Sequence, residues 1–255
     1  MSRLKNVFNK GKKILNVYCT AGYPALDSTL KVMLALEKSG ADIIELGMPY
    51  SDPVADGETI QHSSSIALEN GMTIATLFGQ LKNMRNEISI PVVLMGYLNP
   101  VMQYGIEKFC EDAANAGVDG FIIPDLPAHE FEIAYKPIFE KYGLDFVFLV
   151  TPETSEARVR QLDGLSSGFL YAVSSSSTTG HDKDFSLVEK YLQRLKSYHL
   201  KNPVLVGFGI SDKESFERVC QYADGAIIGS AYIKALDKTT DINQTTKTFV
   251  DSVLE

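Results

Sequence analysis

The chain has 255 residues, of which 45% are hydrophobic and 22% are charged, and its formal net charge is −8. This size and composition are typical of a soluble globular protein with ample material for a core. The negative charge argues against a broad basic surface for nucleic acid or an anionic membrane, so an anionic ligand would need a local site.

The cysteine content and the N-terminal residues bear on compartment and targeting. Three dispersed cysteines are too few for a disulfide framework or a zinc site, which predicts reduced thiols in a cytoplasmic protein. Residues 1–13 lack the long apolar core of a secretory signal and predict a short amphipathic helix with Leu4, Val7 and Phe8 on one side. No apolar run is long enough to span a membrane.

Eight short apolar runs, rich in β-branched residues, alternate with helical patterns along the chain. The predicted strands are residues 14–20, 42–47, 91–97, 120–125, 145–150, 168–173, 203–209 and 225–230. They show little polar alternation, as expected for parallel strands covered on both faces. Helices are predicted within residues 28–40, 105–120 and 212–225, each with a glycine near its end.

This alternation predicts an α/β fold of the (β/α)8 TIM barrel type, with the short N-terminal helix in front and residues 1–255 in a single domain. An open doubly wound sheet uses the same units and remains the alternative. The barrel is favoured because eight units close it and because no GxGxxG follows the first predicted strand.

Glu45 is the most informative residue, because it lies in the apolar strand at 42–47. Alternation places it on the same side as Ile43, and a glutamate facing a barrel mouth has a raised pKa that suits proton transfer. An ion pair or a helix cap is the structural alternative, but residues 41–72 contain no lysine or arginine. Of the next two carboxylates, Asp52 is predicted to serve a turn. For Asp56 a functional and a structural role both stay open.

Glycine-rich segments follow the seventh and eighth predicted strands, at 207–211 and 228–231. Glycines before a helix start expose backbone N–H groups to an anion, and these two loops usually form the phosphate site of phosphate-binding barrels. Because neither segment contains lysine or arginine, amides and the Ser230 hydroxyl would bind the phosphate. The alternative is that the glycines only permit tight turns.

Tyr171 lies in the sixth predicted strand on the same side as Phe169, facing either the barrel mouth or simply the core. The polar loop after it, with Gly180 near its end, predicts a lid that contributes to the phosphate site. The four histidines have no metal-ligand spacing, and no metal site is predicted.

Several of these segments together resemble the tryptophan synthase α subunit family. The resemblance rests on IELGMPYSDPVADG (44–57), TAGYP (20–24), GYLNPVMQYG (96–105), YAVSSSSTTG (171–180), GFGIS (207–211) and GSA (229–231). It implies a (β/α)8 barrel that cleaves indole-3-glycerol phosphate to indole and glyceraldehyde 3-phosphate. Two departures are Ser177, where the family often has glycine, and Tyr18, where it often has phenylalanine.

The resemblance also implies roles for individual residues. Glu45 matches the acid–base glutamate, Asp56 the catalytic aspartate that accepts the indole N–H, and Tyr171 the active-site tyrosine. The substrate- and phosphate-binding positions that it implies are Gly180, Gly209, Gly229, Ser230, Tyr18 and Tyr97. No metal or cofactor is implied in this subunit. The implied partner is the pyridoxal-phosphate-dependent β subunit, which consumes indole, in an α2β2 assembly.

Three rival functions are open at this stage. Another phosphate barrel, such as indole-3-glycerol phosphate synthase or a sugar-phosphate isomerase, generally needs a catalytic lysine or paired aspartates, and the predicted strands contain no lysine or arginine. A non-catalytic activator of the β subunit would not need Glu45 and Asp56. A stand-alone indole-releasing lyase is a variant of the main hypothesis.

Overall fold

A computed structural model describes residues 2–173, 185–207 and 209–255 of the chain. In these ranges a parallel sheet is surrounded by helices. Its strands are β1 (Ile14–Thr20), β2 (Ile43–Gly47), β3 (Val92–Met95), β4 (Gly120–Ile122), β5 (Asp145–Phe146), β6 (Leu149–Val150), β7 (Leu170–Val173), β8 (Val204–Gly207) and β9 (Gly225–Ile228). None of the described helices is long and apolar enough to cross a membrane.

The strand order closes a barrel. It runs β5-β4-β3-β2-β1-β9-β8-β7-β6, and β5 and β6 are two halves of one chain segment. The half Asp145–Phe146 pairs with β4, whereas Leu149–Val150 pairs with β7. The barrel prediction is therefore confirmed, and the open-sheet alternative is wrong. Residues 145–150 were predicted as one continuous strand. In the structure this strand is divided into β5 and β6, at the point where the pairing changes from β4 to β7.

The described residues also form thirteen α-helices. They are α1 (Arg3–Asn6), α2 (Thr29–Ser39), α3 (Glu58–Glu69), α4 (Ile74–Leu81), α5 (Leu98–Tyr104), α6 (Ile106–Ala116), α7 (Ala128–Glu130), α8 (Lys136–Lys141), α9 (Glu156–Leu165), α10 (Phe185–Ser197), α11 (Lys213–Cys220), α12 (Ser230–Leu236) and α13 (Ile242–Leu254). Short 3₁₀ turns at Val7–Lys10, Leu26–Ser28 and Met84–Asn86 and a π-helical turn at Phe131–Tyr135 complete them. The three helices predicted between strands correspond to α2, α6 and α11.

The barrel interior is a cluster of apolar side chains to which all the strands or their adjoining residues contribute. Its members include Ile14, Ile43, Val93, Ile122, Val147, Phe169, Leu205 and Ile227. The N-terminal segment belongs to the same cluster through Leu4 of α1 and Val7 of the 3₁₀ turn that follows it, which are fully or almost fully buried. The predicted amphipathic helix is therefore a four-residue helix followed by a 3₁₀ turn, and its apolar side packs against the interior of the barrel.

Ion pairs attach this helix and the residues after it to the edge of the sheet where strands begin. Arg3 Nε lies 2.9 Å from Asp119 Oδ1, and Lys5 Nζ lies 3.2 Å from Asp145 Oδ1. Asp119 also accepts a hydrogen bond from the backbone N–H of Val92, at 2.8 Å. Because this end of the barrel is occupied by structural contacts, the chemistry is expected at the opposite end, where the strands finish.

Candidate active site

Glu45 lies on β2 with its side chain inside the barrel and is 1% exposed. Ile43, two residues earlier, belongs to the interior cluster, whereas Ile44 and Leu46 pack in the outer layer against the helices. The alternation predicted from sequence is thus the one observed, and it directs a carboxylate into the barrel. Tyr18 of β1 is the register partner of Glu45.

The surroundings of Glu45 favour its protonated form. Burial removes water from the carboxylate, and the negative charge of Asp56 adds to that effect, so the pKa of Glu45 rises to about 8. A hydrogen bond from Asn16 Nδ2 to Glu45 Oε2, 3.1 Å long, acts in the opposite direction. No cation from the described residues contributes, so the predicted structural alternative, an ion pair, does not apply. A carboxyl group with this pKa can both give and take a proton near neutral pH.

Asp56 lies half-buried in the loop between β2 and α3. Burial raises its pKa, and a hydrogen bond with the Tyr97 side chain partly lowers it again. The Tyr97 hydroxyl also accepts the backbone N–H of Ala55, at 3.1 Å. Asp52, by contrast, is exposed and accepts a hydrogen bond from Ser51 Oγ at 2.5 Å, which agrees with the predicted turn role.

Two tyrosines pack closely over glycines on the inner side of the sheet. Tyr171 on β7 is 9% exposed, and a Cβ at Gly207 would lie 2.5 Å from its hydroxyl oxygen. Tyr18 is similarly placed over Gly47. Burial is the main cause that raises the pKa of both phenols. The second cause is the negative charge of Glu45 for Tyr171 and that of Asp56 for Tyr18. Both hydroxyls therefore stay protonated and can donate hydrogen bonds.

The predicted phosphate loops lie next to each other, because β8 and β9 are paired strands. Gly209 follows β8 with a φ of 42°, a left-handed value that favours glycine. Gly229 follows β9 and precedes α12, whose first residue is the exposed Ser230. Gly180, together with Ser177 and the rest of the predicted lid, lies outside the described residues.

Sequence reasoning missed Asn16 and the contact between Tyr97 and Asp56. Asn16 is fully buried on β1. The sequence indicates it only as a polar residue within an apolar strand, on the same side of that strand as Tyr18. Tyr97 was predicted only as a substrate-binding residue. Among the residues that the structure describes, no group of three or more histidine, cysteine, aspartate or glutamate side chains could hold a metal ion.

Comparison with known proteins agrees with this geometry. The family model described as tryptophan synthase alpha chain matches residues 4–253. The tryptophan synthase alpha chain of Flavobacterium johnsoniae is 53% identical over 240 residues, which is 94% of this chain and 95% of the relative. That of Bacteroides thetaiotaomicron is 49% identical over 243 residues, again 94% and 95%.

Solved structures give the same result. The tryptophan synthase subunit alpha of Legionella pneumophila superposes with a TM-score of 0.90 at 34% identity, covering 99% of this chain and 97% of that one. A chain of M. tuberculosis tryptophan synthase in its aminoacrylate-bound form has a TM-score of 0.86 at 33% identity, covering 99% and 100%. With a buried carboxyl on β2, and with relatives this similar over nearly its whole length, the chain belongs to the tryptophan synthase alpha chain family.

Proposed function

We propose that Glu45, Asp56 and Tyr171 carry out the reaction of this family. The chain is a carbon–carbon lyase of tryptophan biosynthesis: it cleaves indole-3-glycerol phosphate to indole and glyceraldehyde 3-phosphate, and the β subunit uses the indole. The observation that carries the residue assignment is Glu45, a carboxyl that is 1% exposed and has a pKa of about 8.

In the proposed mechanism the protonated Glu45 gives its proton to C3 of the indole ring. The bond between C3 and the glycerol phosphate chain then breaks, and its electron pair returns to the ring and restores aromaticity. The neighbouring hydroxyl on the chain loses its proton to the Glu45 carboxylate as its carbon becomes the aldehyde. Glu45 ends in the state in which it began, and every step is a proton transfer or a bond cleavage that needs no cofactor in this subunit.

Asp56 serves as an anion in this mechanism. It accepts a hydrogen bond from the indole N–H and stabilises the positive charge that protonation of C3 places on the ring. The Tyr97 hydroxyl, bonded to Asp56 and to Ala55 N–H, holds the carboxylate and its loop in place. Tyr171 and Tyr18 line the pocket as neutral hydrogen-bond donors beside the two carboxyl groups.

The phosphate of the substrate binds across the loops after β8 and β9. Backbone N–H groups at Gly209, Gly229 and Ser230 and the Ser230 hydroxyl are the proposed donors, with Gly180 contributing from the loop after β7. The positive φ of Gly209 and the start of α12 after Gly229 support this assignment, since both arrangements turn amides toward an anion.

The β subunit is the partner of this family. We propose that it docks on the end of the barrel where strands finish, as an α2β2 assembly with pyridoxal phosphate in the β subunit. Val54, in the loop after β2, is 80% exposed, and Met102, in the helix after β3, is 57% exposed. A partner at this face would cover both side chains and receive indole directly. We further propose that the chain works as one barrel domain in the cytoplasm.

An assay of indole release tests this function against a purely activating role. The isolated full-length chain is incubated with saturating indole-3-glycerol phosphate, with and without the β subunit. We expect indole from the isolated chain and a faster rate with the β subunit. A chain that releases no indole under either condition, while still accelerating the β reaction, would show that it is an activator and not a lyase.

A further inference from the structure

The strongest unexplained feature is the buried side chain of Asn16, directly beside Glu45. Asn16 is 0% exposed, and its Nδ2 lies 3.1 Å from Glu45 Oε2. Its Oδ1 is also buried, and among the described residues no hydrogen-bond donor reaches it. A buried polar atom without a partner destabilises the folded state, so its presence in a native protein calls for an explanation.

Asn16 lies deeper in the barrel than Glu45, farther from the strand ends where the substrate is proposed to bind. Along the paired strands Asn16 aligns with Ile43, whereas Glu45 aligns with Tyr18, so the amide lies one layer deeper in the barrel than the carboxyl. Ile43 on β2 and Ile227 on β9, the two register partners of Asn16, belong to the packed interior cluster. Asn16 is therefore placed to act on the reaction through Glu45.

We infer that Asn16 is a positioning residue whose amide serves both protonation states of Glu45. When Glu45 is a carboxylate, Nδ2–H donates to Oε2, as observed. When Glu45 is a carboxylic acid, its O–H needs an acceptor, and a half-turn of the amide brings Oδ1 into the place of Nδ2. The free Oδ1 is the acceptor held ready for the acid. This inference rests on the proposed acid–base role of Glu45.

An amide is well suited to this task because it carries a donor and an acceptor of nearly the same shape. A lysine or arginine at this position would hold Glu45 ionised, and an apolar residue would leave both states without a partner. The amide lets the carboxyl keep its place as it changes protonation state twice in each turnover.

Asn16 also tunes the proton affinity of Glu45. The other titratable groups that interact electrostatically with Glu45, among the described residues, are Tyr18 and Cys19 of β1, Asp56 of the loop after β2 and Tyr171 of β7. Burial raises the pKa of the two tyrosines and the cysteine, so they are neutral when Glu45 titrates. Burial and Asp56 raise the pKa of Glu45, and only the hydrogen bond from Asn16 lowers it.

The experiment replaces Asn16 by apolar residues in the full-length chain assembled with its β subunit. Asn16→Leu keeps the size of the side chain, and Asn16→Val offers a smaller β-branched alternative that suits a strand. In the mechanism the protonated Glu45 starts the reaction, so kcat/KM falls as pH rises through its pKa. Hydrogen bonds to charged groups are stronger than those to neutral ones, so loss of the Asn16 amide should destabilise the Glu45 carboxylate and raise the pKa of Glu45. In both variants the alkaline limb of the pH profile, where kcat/KM falls, should therefore move up by roughly one pH unit, and kcat should fall about tenfold.

Thr246→Val is the matched control. Thr246 is fully buried and pairs with the Tyr232 hydroxyl at 2.7 Å, so its replacement also removes a buried hydrogen bond of the barrel's outer layer. It should lower stability without moving the alkaline limb. The pH dependence of unfolding, measured on the same variants, reports the pKa of Glu45 independently of activity.

The outcomes separate this inference from the mechanism on which it rests. An alkaline limb that stays at the wild-type pH in both Asn16 variants, together with an inactive Glu45→Gln chain, would overturn the role of Asn16 alone. An active Glu45→Gln chain would overturn the role of Glu45 itself. A limb shifted upward in both Asn16 variants and unmoved in Thr246→Val would support the inference.

Discussion

The hydroxyl of Tyr18 lies over Gly47, so closely that a Cβ at Gly47 would stand 2.0 Å from the hydroxyl oxygen. Gly47 follows Glu45 on the same side of β2, and Tyr18 pairs with Glu45 across the two strands. The missing side chain at Gly47 therefore creates the space in which a buried aromatic ring lies beside the acid–base carboxyl. Gly207 on β8 does the same for Tyr171 on the neighbouring strand β7.

Gly47→Ala should displace the Tyr18 ring and disturb the pocket. Because the ring is rigid and only 7% exposed, it has to leave its place, and we expect kcat/KM to fall at least about tenfold, by loss of substrate positioning. Steady-state indole release measures this effect. Gly79→Ala is the control: nothing lies within 4 Å of a Cβ there, and an alanine inside α4 should leave activity unchanged. Equal activity of the two variants would contradict the role given to Gly47.

Glu45 should make the chain less stable as the pH rises. Its pKa is about 8 in the folded chain against an ordinary 4.5, so between these values the folded state binds more protons than the unfolded state. The stability that comes from neutral Glu45 is complete below about pH 4.5 and is lost as the pH rises through about 8. Relative to the wild type, Glu45→Gln, which cannot ionise, should become more stable as the pH rises over this range, by an amount on the order of 5 kcal/mol.

Chemical denaturation at several pH values between 4 and 9, roughly the range in which carboxyl and imidazole groups titrate, measures this difference. Glu111→Gln, an exposed glutamate on α6, is the control and should follow the wild type closely. A constant difference between Glu45→Gln and the wild type at all pH values would refute the raised pKa.

Asp56→Asn should reduce turnover more than substrate binding, because the carboxylate stabilises charge that appears only during the reaction. We expect kcat to fall on the order of 10²-fold with a much smaller change in KM. Loss of the charge should also lower the pKa of Glu45, since Asp56 raises it, and move the alkaline limb of kcat/KM to lower pH. Asp52→Asn, in the same loop but exposed, should do neither. A rise in KM alone would reassign Asp56 to binding.

Tyr97→Phe should act through Asp56. The variant removes the hydrogen bond that lowers the pKa of Asp56 and leaves the Ala55 N–H without its acceptor. The pKa of Asp56 should therefore rise, which moves the acidic limb of kcat/KM upward, and kcat/KM should fall about tenfold. Tyr50→Phe is a matched control, because the Tyr50 ring lies 5.5 Å from that of Tyr97 and its hydroxyl bonds Asn99 instead. If both variants have the same pH profile, Tyr97 does not position Asp56.

The strands could be predicted from sequence because each is a buried apolar run, and β1 was located to the residue. Alternation predicted that Glu45 lies on the same side of its strand as Ile43, and the packing of Ile43 in the interior cluster shows that this side faces inward. The division of 145–150 could not be foreseen, since it depends on which neighbour each half meets when the barrel closes. Local pattern does not contain that information.

The same limit applies to the site. Asn16 and Glu45 are 29 residues apart, and only the parallel register of β1 and β2 brings the amide to the carboxyl. Tyr97 and Asp56 meet because β2 and β3 are neighbours, and the sequence around Tyr97 resembles the family without indicating this contact. Residue types and motif order identify the family, whereas the contacts that tune the pKa values come from the register of the strands.

The rate of indole release by Glu45→Gln, in the full-length chain with its β subunit and saturating substrate, tests the central claim most directly. Glutamine keeps the size and the buried place of the side chain but can neither give nor take a proton. We expect kcat to fall by at least roughly 10²–10⁴-fold while circular dichroism shows an intact fold. A Glu45→Gln chain that releases indole at close to the wild-type rate would contradict it.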